Sequence, residues 1–518
     1  MKYTLLREDV MKTVIIGSGM SGLTAAACLA TAGHSVTVFE QFSSPGGVTA
    51  TVSKEGFSWD LGPLILDGFA PGDKGRVILE ELGVSERVKV VREDRDLSMP
   101  EFTLRRPEEY EGPYWRRERL KKIFPDESSQ LDRYYRFYDL MLGLMSLARR
   151  AETASGPGAL WLKLRMLIDF QQVKSMVNWN GTQLMDHYFK STALKTVFLG
   201  LAADYVTAPG EFPALGVPSL HPETMFDKRL PAFPGTKSAR GAFCYITGGL
   251  QTMVDAVAGV VLSKGGKIIT NKAVKRIVIE RGRVKGVELA DGMFEAADHV
   301  LASGGMREVF FDLVGKENLP AELISQIESI RLMESVHMVQ LGIDFDPTPC
   351  QPSSLCYYYY TYDLEGAVKR LRSGDYHEGK DGLLIYVPSL HSPSMAPSRH
   401  YAVTIYTVAP DTLAEGSWNS RREELSDRLV EVAERHIPGL RRHTKTRLII
   451  TPEDFRLRTH LKHHSFGGVP PVIGNKAPSH KTPIRGLWFI GAQSESGGGV
   501  VNVMTGAQKT ARQILQEL

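Results

Sequence analysis

The feature that most constrains this chain is a glycine loop set between two short β-branched runs. Residues 13–16 (TVII) are apolar and β-branched, the composition of a parallel strand buried on both faces. They run directly into Gly17-Ser18-Gly19-Met20-Ser21-Gly22 and then an alanine-rich helical stretch over 23–32. A second strand pattern, SVTVF at 35–39, ends on Glu40. Strand, GxGxxG, helix, strand and acid in this order predict a βαβ unit that binds a dinucleotide. Gly17 permits the tight turn, Gly19 lets backbone amides approach a pyrophosphate, and Gly22 lets helix and strand pack closely. Met20 and Ser21 complete the loop at the helix N-terminus, where partial positive charge collects. Glu40 stands where a carboxylate accepts hydrogen bonds from ribose hydroxyls, and it would repel a 2′-phosphate.

A second glycine pair decides which dinucleotide. Pro45-Gly46-Gly47 is followed by Gly56-Phe57-Ser58-Trp59-Asp60-Leu61-Gly62-Pro63. Glycines there let the backbone pass close to the flavin half of FAD. From this point the sequence resembles the phytoene desaturase and carotenoid isomerase group of flavoproteins, relatives of the amine oxidases. In that group a GGR-type turn and a GF-x-x-D-x-GP segment follow the first βαβ unit. The resemblance implies FAD as cofactor, with Gly46, Gly47, Val48, Gly62 and Pro63 beside it. Val48 stands where the group commonly has Arg or Lys, which removes a cation near the cofactor.

Two later blocks extend the resemblance. Over 245–305, Thr247-Gly248-Gly249 leads into an amphipathic helix, then strands at 267–270, 274–280, 283–289 and 298–302. In the resembled group a residue at the position of Val274 meets the adenine through its main chain. Near the end, a strand closes on Gly491, and Gly497-Gly498-Gly499-Val500 opens a helix expected from about Asn502. Amides at that helix N-terminus would favour negative charge on a reduced flavin ring. The resemblance places Gly491, Gly498, Gly499 and Val500 against the flavin. Glu495 and Ser496 replace a frequent His-Pro, and Val501 and Asn502 a frequent Pro-Gly. A middle segment, 387–397, looks like the group's PS-x-x-D-PS-x-AP with His391 in place of the acid.

The expected fold is therefore α/β: a Rossmann-type FAD-binding domain, discontinuous in sequence, with a mixed-sheet and helical substrate domain. The expected boundaries are 11–100, 226–310 and 471–518 for the flavin parts, and 101–225 and 311–470 for the substrate region. A length of 518 residues agrees with two or three domains. Residues 1–10 read as a loose extension or a mis-set start.

Composition excludes more than it selects. A net charge of +3 gives no global argument for nucleic acid. Cys28, Cys244, Cys350 and Cys356 form no CxxC pair and have no histidine at metal spacing, so neither disulfides nor a metal site are expected and a reducing cytoplasm fits. No apolar run reaches the roughly 20 residues of a membrane span. A basic stretch at 115–122 and the apolar, cationic stretch 160–168 together suit peripheral docking on an anionic membrane. The alternating tyrosines of 357–362 would place half their rings on a buried sheet face, suited to an apolar pocket.

These readings predict an FAD-dependent oxidoreductase acting on carbon–carbon bonds of an apolar isoprenoid such as a carotenoid or retinoid. Desaturation, saturation and flavin-assisted isomerisation share that scaffold, and the electron acceptor stays open. Amine oxidase-type C–N oxidation, or a flavin-stabilised binding protein without turnover, are the alternatives. If the reaction uses a base, Glu495 is the candidate; His463 or His464 is a minor candidate for facing the flavin cavity, and His337 and His391 are no better placed.

Overall fold

The protein is described by a computed structural model over residues 11–62, 64, 66–70, 72–93, 95–107, 114–204, 206–221 and 243–517. The expected extension 1–10, Pro63 and the 225/226 boundary lie outside the described residues.

Five parallel strands build the central sheet, in the order Leu487–Ile490, His299–Ser303, Lys12–Ile16, Ser35–Phe39, Lys267–Ile269. Every neighbouring pair is parallel. Parallel strands need both faces covered. Helices Met20–Thr31, Leu250–Ser263 and Val500–Gln516 cover one face through a hydrophobic cluster that includes Leu23, Met253 and Met504. On the other face an antiparallel sheet of Val274–Glu280, Arg283–Leu289 and Phe294–Ala296 packs through Ile277, Val287 and Phe310. The strand over 35–39 has the expected bounds, while the last helix starts at Val500, ahead of Asn502.

A seven-stranded mixed sheet runs Thr444–Ile450, Ser335–Ile343, Tyr401–Ala409, Gly382–Tyr386, Leu355–Tyr359, Arg95–Ser98, Thr103–Leu104. Its side chains alternate with period two. Val336, Met338, Tyr357, Leu384 and Tyr386 enter one cluster, shared with helix Ser128–Thr153. Val339, Leu341, Tyr358, Leu383 and Ile385 enter the opposite one, under helix Arg422–Glu434. The tyrosine run thus divides between the two faces as period-two alternation predicts.

Asp60, the acid of the GF-x-x-D-x-GP segment, joins the two halves. Its Oδ1 accepts the Leu250 amide (2.9 Å) at the start of helix Leu250–Ser263 and the Thr51 hydroxyl (2.6 Å). Its own carbonyl accepts from Gln340 (3.2 Å) on the seven-stranded sheet. Burial pushes its carboxyl up to about 6, against the opposing pull of those hydrogen bonds. His391 makes a comparable bridge. Its Nε2 lies 3.0 Å from the fully buried Glu93 carboxylate, and its ring stacks on Tyr245 at 5.6 Å. His391 thus faces an acid contributed by another segment.

A folded-state pKa above the ordinary value means that the native chain holds this proton more tightly than the unfolded chain. Asp60 therefore costs stability above pH 6, and that cost is relieved as the pH falls from about 6 towards the ordinary carboxyl range near 4. Asp60→Asn keeps an acceptor for Leu250 and Thr51 without the buried charge. Thermal melting should show a flatter stability profile between pH 4 and 6 for the variant than for the native chain. Parallel profiles would contradict this account of Asp60.

Candidate active site

One cavity of about 650 Å³ gathers most of the residues that the sequence marks. Gly17, Gly19, Met20, Ser21, Glu40, Gly46, Gly47, Val48, Val274, Gly491, Gly499 and Val500 all line it. Gly22, Gly62 and Gly498 do not, and their geometry gives the reason. A Cβ on Gly22 would sit 2.0 Å from the Gly17 carbonyl oxygen, one on Gly62 2.3 Å from that of Val48, and one on Gly498 2.0 Å from that of Gly467. These three glycines allow backbones to touch and so shape the cradle from behind.

The cradle draws on widely separated segments. Gly46 donates its amide to the Ser18 carbonyl (2.9 Å), and the Ser303 hydroxyl donates to Ile16 O (2.7 Å). Gly17, at φ +91°, donates its amide to Phe39 O (2.8 Å), a turn that favours glycine. Glu40 is buried. One carboxylate oxygen accepts from the Ser18 amide (2.8 Å) and hydroxyl (2.6 Å), and the other from the Phe42 amide (2.8 Å). Its orientation is thus locked before any ribose arrives.

Two helix N-termini open on this cavity, those of Met20–Thr31 and Val500–Gln516. Both are preceded by glycine, and neither has a capping side chain or an acid in its first turn. The positive ends of both dipoles are left for an external anion. A Cβ on Gly19 would meet nothing within 4 Å, so the loop itself leaves room beside it. A dinucleotide with a pyrophosphate at one helix and a reducible ring at the other fits these donors.

Glu495 is placed elsewhere. It does not line the cavity; its carboxylate accepts the His480 amide (3.0 Å) and lies 3.1 Å from the His480 ring, with the side chain 41% exposed. That brace corrects the expectation that its segment aims it at the flavin. Among the histidines, His464 lines the cavity, stacked on Phe455 (4.5 Å) with Nδ1 2.7 Å from the Ser335 hydroxyl. Burial holds it neutral, pushed down to about 3. His463 instead reaches the Met333 carbonyl (2.8 Å). His337 is buried between Tyr376 and Ser426, and His391 is held by Glu93.

Two charged cavity residues have no signal in the local sequence. Asp67 is exposed to the cavity amid Leu64, Leu66 and Phe243. The surrounding protein raises its carboxyl above the ordinary range, opposed only by its own backbone amide. Arg458, at the end of helix Pro452–Thr459, also lines the cavity. Only the three-dimensional packing brings either residue here.

Comparison with known proteins agrees with this geometry. Residues 20–515 match the family described as flavin containing amine oxidoreductase. A mouse protein named pyridine nucleotide-disulfide oxidoreductase domain-containing protein 2 is 25% identical, over 94% of this chain and 90% of its own. The 4,4'-diapophytoene desaturase (4,4'-diaponeurosporene-forming) of Staphylococcus aureus is 23% identical, over 98% of this chain and 99% of its own. The crystal structure of an oxidoreductase from Methanosarcina mazei superposes with a TM-score of 0.63 at 19% identity, covering 97% of this chain and all of the other. The chain belongs to the flavin containing amine oxidoreductase family and is an oxidoreductase that uses FAD.

Proposed function

We propose that this oxidoreductase moves hydrogen to or from adjacent carbons of an apolar isoprenoid such as a carotenoid or retinoid. The observation that carries this reading is the continuity of the cavity. The glycine cradle opens onto a wall of Leu64, Leu66, Leu201, Leu220, Tyr357, Leu384 and Tyr406. Such a wall removes apolar surface from water at about 25 cal/mol per Å² and offers a polyene few polar competitors. The full-length likeness to a diapophytoene desaturase supports the same substrate class. Bound FAD supplies two-electron redox chemistry, taking a hydride from carbon or returning one.

Gly17, Gly19, Met20, Ser21, Glu40, Gly46, Gly47, Val48 and Val274 would hold the nucleotide half, and Gly491, Gly499 and Val500 the ring half, with Gly22, Gly62 and Gly498 supporting them from behind. Loss of hydride from one carbon leaves a proton to be removed from its neighbour. We assign that proton to Asp67, which lines the cavity. Glu40 is fastened at the ribose end, and Glu308 and Asp312 are engaged by Lys462. Facing the cavity yet raised by desolvation from the protein around it, Asp67 is better matched to proton transfer near neutral pH than an ordinary carboxylate. In the saturating direction the same carboxyl returns the proton.

An amine substrate fits this wall less well. Tyr406 and Phe466 form an aromatic pair with centroids 5.8 Å apart and planes 53° apart, which leaves no slot between the rings for an amine nitrogen. Lys272, the lysine among the described lining residues, is paired with Asp291.

Delivery of a lipid-soluble substrate points to helix Gly156–Gln171 as a membrane contact. Leu160 (72% exposed), Trp161 (59%), Leu164, Leu167 and Ile168 form one outward stripe, flanked by exposed Lys163 and Lys174. The basic stretch near 115–122 contributes less free charge than its sequence suggests, although Arg119 and Lys122 are exposed. Trp115 and Arg116 are buried, and Lys121 is held by Asp132 at 2.6 Å. Among the described residues no helix is long and apolar enough to cross a bilayer.

Mass spectrometry of polyene products, with the flavin supplied oxidised or reduced, tests the reaction class by loss, gain or retention of two hydrogens. In that assay Asp67→Asn should lower turnover about 10²-fold or more with FAD content unchanged. Glu495→Gln should stay within about twofold of the native rate. Unchanged turnover in Asp67→Asn would remove Asp67 from the mechanism. Co-sedimentation with vesicles rich in anionic phosphatidylglycerol should fall at least tenfold in a Trp161→Glu, Leu164→Glu double variant, since each lost apolar contact is worth about 1.5–3 kcal/mol. Equal sedimentation would rule out this helix as the docking face.

A further inference from the structure

We propose that Arg458 is a pyrophosphate-binding residue, supplying from a distant helix the cation that Val48 removes from the second glycine turn. The side chain is fixed on that turn. Its Nε donates to the Gly47 carbonyl at 2.6 Å, and its guanidinium carbon lies 4.4 Å from the Phe42 ring centroid. The turn in turn rests on the first glycine loop. Gly46 donates its amide to Ser18 O, and the same residue makes a parallel bridge with Gly19. A Cβ on Gly47 would come within 3.4 Å of the Gly19 Cα. Arg458 therefore stands one backbone layer from the loop and helix N-terminus that favour a phosphate.

The charge balance at that end favours an anionic guest. Arg458 lines the cavity and is partly buried, and desolvation is the larger influence on it. Glu40 attracts it, yet both Glu40 oxygens already accept from Ser18 and Phe42, and no carboxylate of the described residues pairs with Arg458 within 4.0 Å. The guanidinium has five N–H donors and spends one on Gly47. Its remaining donors suit the bidentate recognition of phosphate oxygens. Helix Pro452–Thr459 is held in register by a Thr451–Asp454 capping box and by Gln41, which donates to the Thr459 carbonyl (2.7 Å). Position 458 is thus a prepared one.

The assignment is tested by binding, independently of substrate and turnover. The full-length chain stripped of flavin is titrated with ADP and with adenosine, which share the nucleoside and differ in the pyrophosphate. Arg458→Gln should weaken ADP, and FAD with it, about tenfold or more, while adenosine affinity stays within about twofold. Equal loss for ADP and adenosine would mean that Arg458 only supports the fold of the turn, and loss for neither would remove it from the site; either result overturns the proposal. Should the Gln variant fail to fold, Arg458→Lys is measured on the same pair. It keeps the charge but not the fork, so ADP should weaken several-fold with adenosine unchanged, and an equal change in both again overturns the proposal.

Discussion

The contact on which this structure depends is the one between Gly22 and the Gly17 carbonyl. With no Cβ at position 22, the first turn of helix Met20–Thr31 lies directly on the end of strand Lys12–Ile16. That closeness aims the helix N-terminus along the edge of the parallel sheet, where the carboxyl ends of the strands leave a crevice. Other segments then close on the same loop. The second glycine turn bonds to Ser18, the Ser303 hydroxyl to Ile16, and a Cβ on Gly491 would come within 3.4 Å of the Ser21 hydroxyl. A side chain at Gly22 would push apart a site to which more than 450 residues of intervening chain return.

Electrostatics arranges the cavity along its length. Two uncapped helix N-termini and Arg458 supply positive potential at one end, beside Glu40, and the far wall is mostly apolar, with Asp67, Arg95 and Ser219 among its polar members. Arg95 is engaged within that wall: it donates to the Leu220 carbonyl (2.9 Å) and lies over Phe243 (4.5 Å). An apolar wall raises a carboxyl's affinity for its proton, so the same desolvation that suits a polyene also tunes Asp67. In the proposed reaction, substrate preference and proton transfer would share one physical origin.

Much of the cofactor side was legible in the sequence because its rules are local. Positive φ at Gly17, Gly46, Gly47, Gly491 and Gly499, period-two alternation at 355–359, and strand–glycine–helix order all act over a few residues. What escaped is set by contacts between distant segments. Glu495 sits beside the flavin-side glycines in sequence, but His480 draws its carboxylate away. The odd His391 makes sense only with Glu93, nearly 300 residues upstream. The basic stretch near 115–122 is partly neutralised, because helix Ser128–Thr153 brings Asp132 against Lys121 while Arg119 and Lys122 stay exposed. Arg458 and Asp67 belong to no local pattern, and topology alone delivers them.

We propose that this cavity exchanges hydrogen with carbon–carbon bonds. The most direct measurement is anaerobic stopped-flow absorbance of the FAD-loaded chain mixed with carotenoid precursors in detergent, and separately with primary and secondary amines. Carbon–carbon chemistry at this cavity should give either bleaching of the oxidised flavin by a polyene, or conversion of a polyene by the pre-reduced flavin, with no response to amines. Bleaching by an amine and inertness to every polyene in both flavin states would contradict it.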